Sequence, residues 1–430
     1  MTAGANAPLR RAAILAVGSE LLTPQRMDTN SLHITEQLNR LGIDVVLKLI
    51  VGDDRDELAE AFRAARRRAD LIVLSGGLGP TDDDVTREAV AAALGRTLNE
   101  DPAITEQIRA RFIARGFTTP MPEINRRQAM VPDGATVLPN SRGSAPGLWL
   151  EDGGAVVLLL PGPPREMMPM LAAVVEGPLR MRTNADVLVR RVIKITGRVE
   201  SQTDEALQPL YRQWERATPP VAATILAALG QVEVHLSTRT APVEAVRILD
   251  GAVAQAVSVL GDDAYSIDGR PLEKVVGDLL AEQQLRIALA ESCTGGLITS
   301  RLTDVPGSSK YVRHSVIAYS NDAKTGLLGV SADLIAEHGA VSEQVALAMA
   351  DGIRAQAGVE VGVGVTGIAG PDGGTPQKPV GTVAIAAVTA AAARSRVFRF
   401  PGEREQVKFQ ASQAALDMVR RMLSGGSLST

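Results

Sequence analysis

The stretch Leu71-Ile72-Val73-Leu74-Ser75-Gly76-Gly77-Leu78-Gly79-Pro80-Thr81-Asp82-Asp83-Asp84 decides how the first third of the chain is read. Four bulky apolar residues, bounded by a glycine cluster, describe a strand buried on both faces. A helix pattern follows through Ala93 and stops at Gly95. A strand that runs through a glycine loop into a helix is half of a βαβ unit. Outward from it the same alternation recurs. Residues 12–17 and 43–51 read as strands, and between them Asn30 can cap a helix carrying Ile34, Leu38 and Leu41 on one face. Asp53-Asp54 opens a basic helix, Asp101-Pro102 starts another, and residues 155–160 form an apolar strand entering Pro161-Gly162-Pro163-Pro164. This predicts an α/β chain with a mostly parallel sheet covered on both faces over residues 1–180.

Residues 180–186 turn polar and read as a linker. Residues 188–268 hold a strand at 192–195, a helix at 201–215, an alternating strand at 231–238 and a helix at 243–260. That is a small α+β middle domain without evident chemistry. Gly269-Arg270-Pro271 marks the next boundary, and residues 270–430 return to α/β, with strands at 285–290, 316–320, 359–365 and 397–400 and a terminal helix. Glu291-Ser292-Cys293-Thr294-Gly295-Gly296 forms a tight turn into a helix from Leu297, Asn321 caps the helix holding Lys324, and Ser342-Glu343 opens a helix to Ala357.

Composition narrows the function classes. The 430 residues include 45 Lys+Arg against 49 Asp+Glu, a net charge of −4, with two tryptophans, four tyrosines and six phenylalanines. Near-neutral charge and sparse aromatics argue against nucleic acid; the cluster Arg55, Arg63, Arg66, Arg67 and Arg68 reads as a solvated helix face. One cysteine, Cys293, excludes an intrachain disulfide and a zinc site of clustered thiolates. The apolar run at 12–17 is too short for a secretory signal, and the longest run, 383–393, is well short of the ~20 residues a membrane-spanning helix needs. A cytoplasmic protein without membrane contact is expected.

Ligands of open α/β sheets sit beyond the carboxyl ends of strands, where both outer domains keep their unusual residues. In the loop from Gly76 and Gly77 to Thr81, backbone N–H groups suit an anion, and Asp83 and Asp84 beside it suit Mg²⁺ or a similar ion. Helix capping by solvated acids fits the same residues. Ser292, at a strand-to-helix turn, is a nucleophile candidate or a plain N-cap. None of the four histidines is well placed as its base. Lys324 is better: a desolvated lysine near a helix start has a lowered pKa, and Ser–Lys pairs are a variant of triad chemistry. Read alone, Lys324 also fits a surface lysine. Tyr319 could orient it or donate a proton. The loop from Thr366 and Gly367 to Gly374 is a further anion candidate or a simple turn, and Arg404 a phosphate clamp or a solvated helix residue.

Several motifs together carry a family resemblance. Ala290-Glu291-Ser292-Cys293-Thr294-Gly295-Gly296, Ala318-Tyr319-Ser320-Asn321 with Lys324, Gly339-Ala340-Val341-Ser342, Thr366-Gly367-Ile368-Ala369-Gly370-Pro371 and Lys378-Pro379-Val380-Gly381-Thr382-Val383 resemble the C-terminal domain of the competence/damage-inducible CinA family. Gly18-Ser19-Glu20, Asp28-Thr29-Asn30, residues 76–84, Ala145-Pro146-Gly147 and Leu160-Pro161-Gly162-Pro163-Pro164 resemble its N-terminal half, related to the molybdopterin-binding MoaB/MogA fold. The middle segment fits through Thr196-Gly197-Arg198-Val199-Glu200-Ser201.

The resemblance implies a three-layer αβα first domain, a small α+β domain and an α/β CinA domain. It implies two activities: a nicotinamide mononucleotide amidohydrolase in the C-terminal domain, requiring no cofactor, and an ADP-ribose pyrophosphatase in the N-terminal domain, requiring a divalent metal such as Mg²⁺ or Co²⁺. By position Ser292 is the nucleophile and Lys324 its partner, with Tyr319 beside them. Thr294, Gly295, Gly296, Thr366, Gly367 and Arg404 would contact the mononucleotide; Gly76, Gly77 and Thr81 would hold diphosphate, and Asp83 and Asp84 the metal. A homodimer is implied as well. Two departures stand out: Lys408 replaces a usual arginine, and Thr23-Pro24 replaces a usual glycine. The competing expectation is a nucleotide- or pterin-binding protein, linked to competence, whose catalytic groups are vestigial.

Overall fold

The computed structural model describes residues 8–114, 121–183 and 186–425. They form two compact units, one built from residues up to 189 together with 239–247, the other from 190–238 and from 248 onward. Residues 184–185 of the expected linker, and the outermost residues of the expected first and last domains, lie outside the described residues.

In the first unit β1 (Arg11–Val17) leads through α1 (Asn30–Arg40) to β2 (Asp44–Val51), α2 (Arg55–Arg66), β3 (Leu71–Ser75) and α3 (Thr86–Leu94). Then come β4 (Leu98–Glu100), α4 (Pro102–Ala114), β5 (Met130–Pro132), β6 (Thr136–Leu138), β7 (Gly147–Asp152), β8 (Ala155–Leu160) and α5 (Pro164–Val174). The main sheet has the order β2-β1-β3-β8-β7-β6; its first four strands are parallel, and β7 and β6 add antiparallel. Alternate residues of each central strand serve opposite cores. Ala13, Leu15, Ile72 and Leu74 meet Leu58, Phe62 and Val90 of α2 and α3, whereas Ala12, Ile14, Leu71 and Val73 meet Ile34, Leu38, Met167 and Leu171 of α1 and α5. Continuous apolar strands thus follow from helices on both faces.

The middle segment contributes β9 (Val187–Ile195), α6 (Glu200–Glu215), β10 (Ala222–Ala228), β11 (Gln231–Thr240), α7 (Pro242–Leu260) and β12 (Ala264–Ser266). Its four strands form their own sheet in the order β10-β11-β9-β12. Residues 190–238 and 248–268 nevertheless pack into the second unit. The buried Arg421 joins them to the C-terminal residues, bonding Asp263 at 2.7 Å and Asp417 at 2.7 Å.

The C-terminal part runs α8 (Leu272–Glu282), β13 (Ile287–Glu291), α9 (Leu297–Thr303), β14 (Val312–Ile317), α10 (Asn321–Leu328), α11 (Ala332–His338), α12 (Glu343–Ala357), β15 (Val361–Gly367), β16 (Thr382–Val388), β17 (Ala393–Arg399) and α13 (Arg404–Leu423). Its sheet has the order β14-β13-β15-β16-β17: β13 is parallel to both neighbours, while β16 and β17 are antiparallel. The apolar run near 383–393 is therefore central strand β16 and a turn into β17. Among the described residues no helix is long and apolar enough to cross a membrane.

Some local expectations are corrected. Asn30 does not cap α1: Asp28 accepts the Ser31 N–H, while the Asn30 amide donates to Ser75 Oγ and the Gly162 carbonyl, tying α1 to the carboxyl ends of β3 and β8. Ser320 rather than Asn321 caps α10. The strand expected at 316–320 spans 312–317, so Tyr319 lies beyond its end.

Candidate active site

In the second unit the strand β13 ends at Glu291, and the chain turns sharply through residues 292–296 before α9. The Ser292 N–H donates to the Val365 carbonyl at 2.9 Å, and the Gly295 N–H closes the turn on the Ser292 carbonyl at 3.1 Å. Gly295 and Gly296 both have positive φ, +62° and +93°, which explains the glycine pair. The Ser292 hydroxyl is not the cap of α9: the Glu291 carboxylate accepts the N–H groups of Gly296, Ile298 and Thr299. It lies instead 3.2 Å from Lys324 Nζ, which also donates to the Ala318 carbonyl at 3.2 Å. Lys324 is 2% and Ser292 6% exposed.

Burial pushes the Lys324 pKa below its ordinary value, which only the weaker pull of Cys293 opposes. A buried amine within reach of a hydroxyl can take its proton; a surface lysine could not. Cys293 faces the other way, into the core with Leu289, Ile298 and Val365, and burial pushes its thiol up to about 12. Cysteine is intrinsically the better nucleophile than serine, but a thiol raised in this way stays protonated and is poorly reactive.

The remaining C-terminal candidates are placed as follows. Tyr319, 60% exposed, does not reach Lys324; its hydroxyl accepts from Arg404 at 2.8 Å. The other Arg404 arm donates to the Gly370 carbonyl. Thr366 is buried, and its hydroxyl donates to the Ala340 carbonyl. Gly367 is a glycine because a Cβ there would stand 2.7 Å from Val383 Cγ2 on β16. Thr294 is fully buried, and its hydroxyl has no hydrogen-bond partner among the described residues. Lys408 brings its amine to the turn, 3.6 Å from where a Gly295 Cβ would stand. A cleft of about 1060 Å³ opens here, walled by Leu297, Pro371, Arg404, Lys408 and Phe409. Its wall also includes Leu229, from the β10–β11 turn of the segment in which no chemistry was evident. Ser292, Lys324 and Thr366 are not part of that wall, and the hydrogen-bonded Ser292–Lys324 pair lies apart from it as the candidate reactive centre.

The first unit has its own pocket, of about 330 Å³, at the carboxyl ends of β1, β3 and β8. Gly76, Gly77, Gly79, Asp83 and Asp84 line it, joined by Glu20, Asp53 and Glu166. Its glycines serve the loop itself: a Cβ on Gly76 would stand 2.2 Å from the Val17 carbonyl oxygen, and one on Gly77 2.2 Å from Thr86 Oγ1. Thr81 lies off the lining, its N–H and hydroxyl both donating to Asp84. Two arginines that sequence reasoning missed hold the loop. Buried Arg87 donates to the Leu78 and Gly79 carbonyls, and Arg127 grips the Thr81 carbonyl with Asp82 and Glu88.

The donor set fits a divalent cation in one way only. Asp84 already accepts from the Gly79 N–H, the Thr81 N–H and the Thr81 hydroxyl. Among the described residues no three His, Cys, Asp or Glu converge as a metal cage. Mg²⁺, however, is commonly held by one or two carboxylates with water and substrate phosphates completing its shell. Asp83 and the remaining lone pairs of Asp84 suit an ion that arrives with a diphosphate.

Comparison with known proteins places this geometry in a family. Residues 269–423 match the CinA C-terminal domain, and residues 13–181 match the family described as "Probable molybdopterin binding domain". The chain is 43% identical over 415 residues to a CinA-like protein of Solibacter usitatus, covering 96% of this chain and 98% of that one. It is 45% identical over 417 residues to a CinA-like protein of Koribacter versatilis, covering 96% and 99%. Among solved structures, that of "the protein CinA with unknown function" from Thermoplasma acidophilum is 36% identical, covering 40% of this chain and 98% of that one, with a TM-score of 0.37. The chain belongs to the CinA family, with an N-terminal domain of the molybdopterin-binding type and a C-terminal CinA domain.

Proposed function

We propose that the C-terminal domain is a nicotinamide mononucleotide amidohydrolase, releasing ammonia and nicotinic acid mononucleotide. The observation that carries this reading is the buried Lys324 amine 3.2 Å from the Ser292 hydroxyl, within a CinA domain. In its neutral form, which burial favours, Lys324 takes the Ser292 proton as Oγ attacks the carboxamide carbon. The proton then passes to the nitrogen, the C–N bond breaks, and ammonia leaves an acyl-serine ester. Water attacks the ester, giving its proton to Lys324; the C–Oγ bond breaks and Ser292 recovers the proton. Arg404 and Lys408, at the cleft wall, are the groups available to the 5′-phosphate. Ser292→Ala in the full-length chain should lower ammonia release by roughly 10³-fold or more while leaving the melting temperature near that of the wild type. Full turnover in that variant rules Ser292 out. A wild type that binds the nucleotide yet frees no ammonia is a binding protein instead.

For the N-terminal domain the reading is a metal-dependent ADP-ribose pyrophosphatase, supported by the glycine loop, Asp83 and Asp84 in one pocket. A divalent ion there would neutralise the diphosphate and polarise the bond that water breaks. The role of the chain's own residues is to hold the diphosphate against the loop. Hydrolysis of ADP-ribose should vanish with chelator and fall about 100-fold in Asp84→Ala. Unchanged hydrolysis under chelation removes the metal from the scheme.

A further inference from the structure

Glu291 ends β13 directly before the nucleophile, and its side chain is entirely buried. A carboxylate so placed needs partners, because burial strips it of water. It has four, all donors. Oε2 accepts the N–H groups of Gly296 at 3.0 Å and Ile298 at 3.2 Å; Oε1 accepts the Thr299 N–H at 2.9 Å and the Thr299 hydroxyl at 2.7 Å. The loop from 291 to 299, which contains Ser292, is thus closed on itself by one side chain. Its capping of α9 also leaves the Ser292 hydroxyl to Lys324, although serine is the usual cap.

The main chain of the same residue governs the other half of the pair. The Ala318 N–H donates to the Glu291 carbonyl at 2.8 Å, and the Ala318 carbonyl in turn accepts from Lys324 Nζ. Thr299, besides bonding Glu291, lies 2.6 Å from Ser315 Oγ on β14, the strand that leads to Ala318. Nucleophile and base sit on separate elements, and Glu291 touches the support of each. We propose that Glu291 is a positioning residue for the Ser292–Lys324 pair, setting their separation through its carboxylate on one side and its carbonyl on the other. This rests on the amidohydrolase reading above. A reacting pair must be held to within a fraction of an ångström, so loosening one support lowers turnover more than binding.

The test compares full-length variants by ammonia release and thermal melting. Glu291→Gln keeps shape but replaces one acceptor oxygen by an NH₂ group, so in either orientation at least one backbone N–H loses its partner. We expect kcat per folded molecule to fall about 10- to 100-fold with KM changed less than about threefold. Thr299→Val should reproduce the loss in part, and Thr299→Ser, which keeps the hydroxyl, should restore turnover. A merely structural role would reduce the folded fraction and leave its kcat and the Val/Ser contrast unmoved, which overturns the proposal. Wild-type kcat in Glu291→Gln also overturns it. If that variant does not fold, the Thr299 pair decides: equal kcat in both is the refuting result. Failure of the parent reading looks different, since the wild type itself then frees no ammonia, and the proposal falls with it.

Discussion

At the scale of single residues, burial sets the proposed Ser292–Lys324 pair apart from the neighbouring thiol. Ser292 and Cys293 are neighbours, yet one hydroxyl reaches an amine and the other side chain enters the core. Cys293→Ala should therefore keep turnover within about threefold, and thiol alkylation should leave activity intact. In the proposed reaction Lys324 would carry the pH dependence. Its pKa is lowered in the folded state, so kcat/KM of the wild type should rise with pH on an acid limb whose midpoint lies below the ordinary lysine value. The linkage to stability has the same origin. Where pH lies between the folded and the ordinary value, the unfolded chain binds more protons, so this group's penalty shrinks as pH rises. Lys324→Met should abolish ammonia release and melt no lower than the wild type at neutral pH, as measured by calorimetry. A drop of several degrees would show that the amine's hydrogen bonds outweigh its desolvation.

At the scale of elements, central and edge strands were unequally legible. β3, buried throughout, and β8, buried from Val156 onward, read directly from their apolar runs. β14 and β17 are edges of the C-terminal sheet and carry Arg313, His314, Arg394 and Arg396; their polar halves hid half their length. β10 escaped notice altogether, because its alanine-rich sequence lacks β-branched weight and its burial is poor. The turn between β10 and β11 carries Leu229 to the wall of the cleft that Arg404 and Lys408 share. Leu229 is 40% exposed, so Leu229→Ala should fold normally. It should raise KM for nicotinamide mononucleotide about threefold to tenfold with little change in kcat, the size expected from losing part of one apolar contact. An unchanged KM would mean that the bound nucleotide does not touch this wall.

At the scale of the whole molecule, the middle segment illustrates how far sequence reasoning reaches. Its sheet is self-contained, yet much of it belongs to the second unit through buried charges. Burial would raise the Asp263 pKa, but hydrogen bonds from Arg421 and Arg198 prevail and hold it below its ordinary value. Its contribution to stability is present above the ordinary carboxylate range and lost as pH falls through the lowered value. Arg421→Ala removes the cation shared by Asp263 and Asp417, which keep Arg198 and Arg420, and should cost about 1.5–3 kcal/mol, read as a fall in the melting temperature of the second unit. The amino-acid sequence by itself determined the α/β class, the glycine-loop and serine-turn motifs and the family, because these depend on local periodicity, turn chemistry and the order of motifs along the chain. Only the tertiary structure showed that the Ser292 hydroxyl meets the Lys324 amine while the Cys293 side chain enters the core, that Glu291 rather than Ser292 caps α9, and that Leu229 walls the cleft. The first and last of these join residues 30 or more positions apart, and the Glu291 cap, although it spans only five to eight positions, depends on how the turn through residues 292–296 is held; no local pattern encodes that.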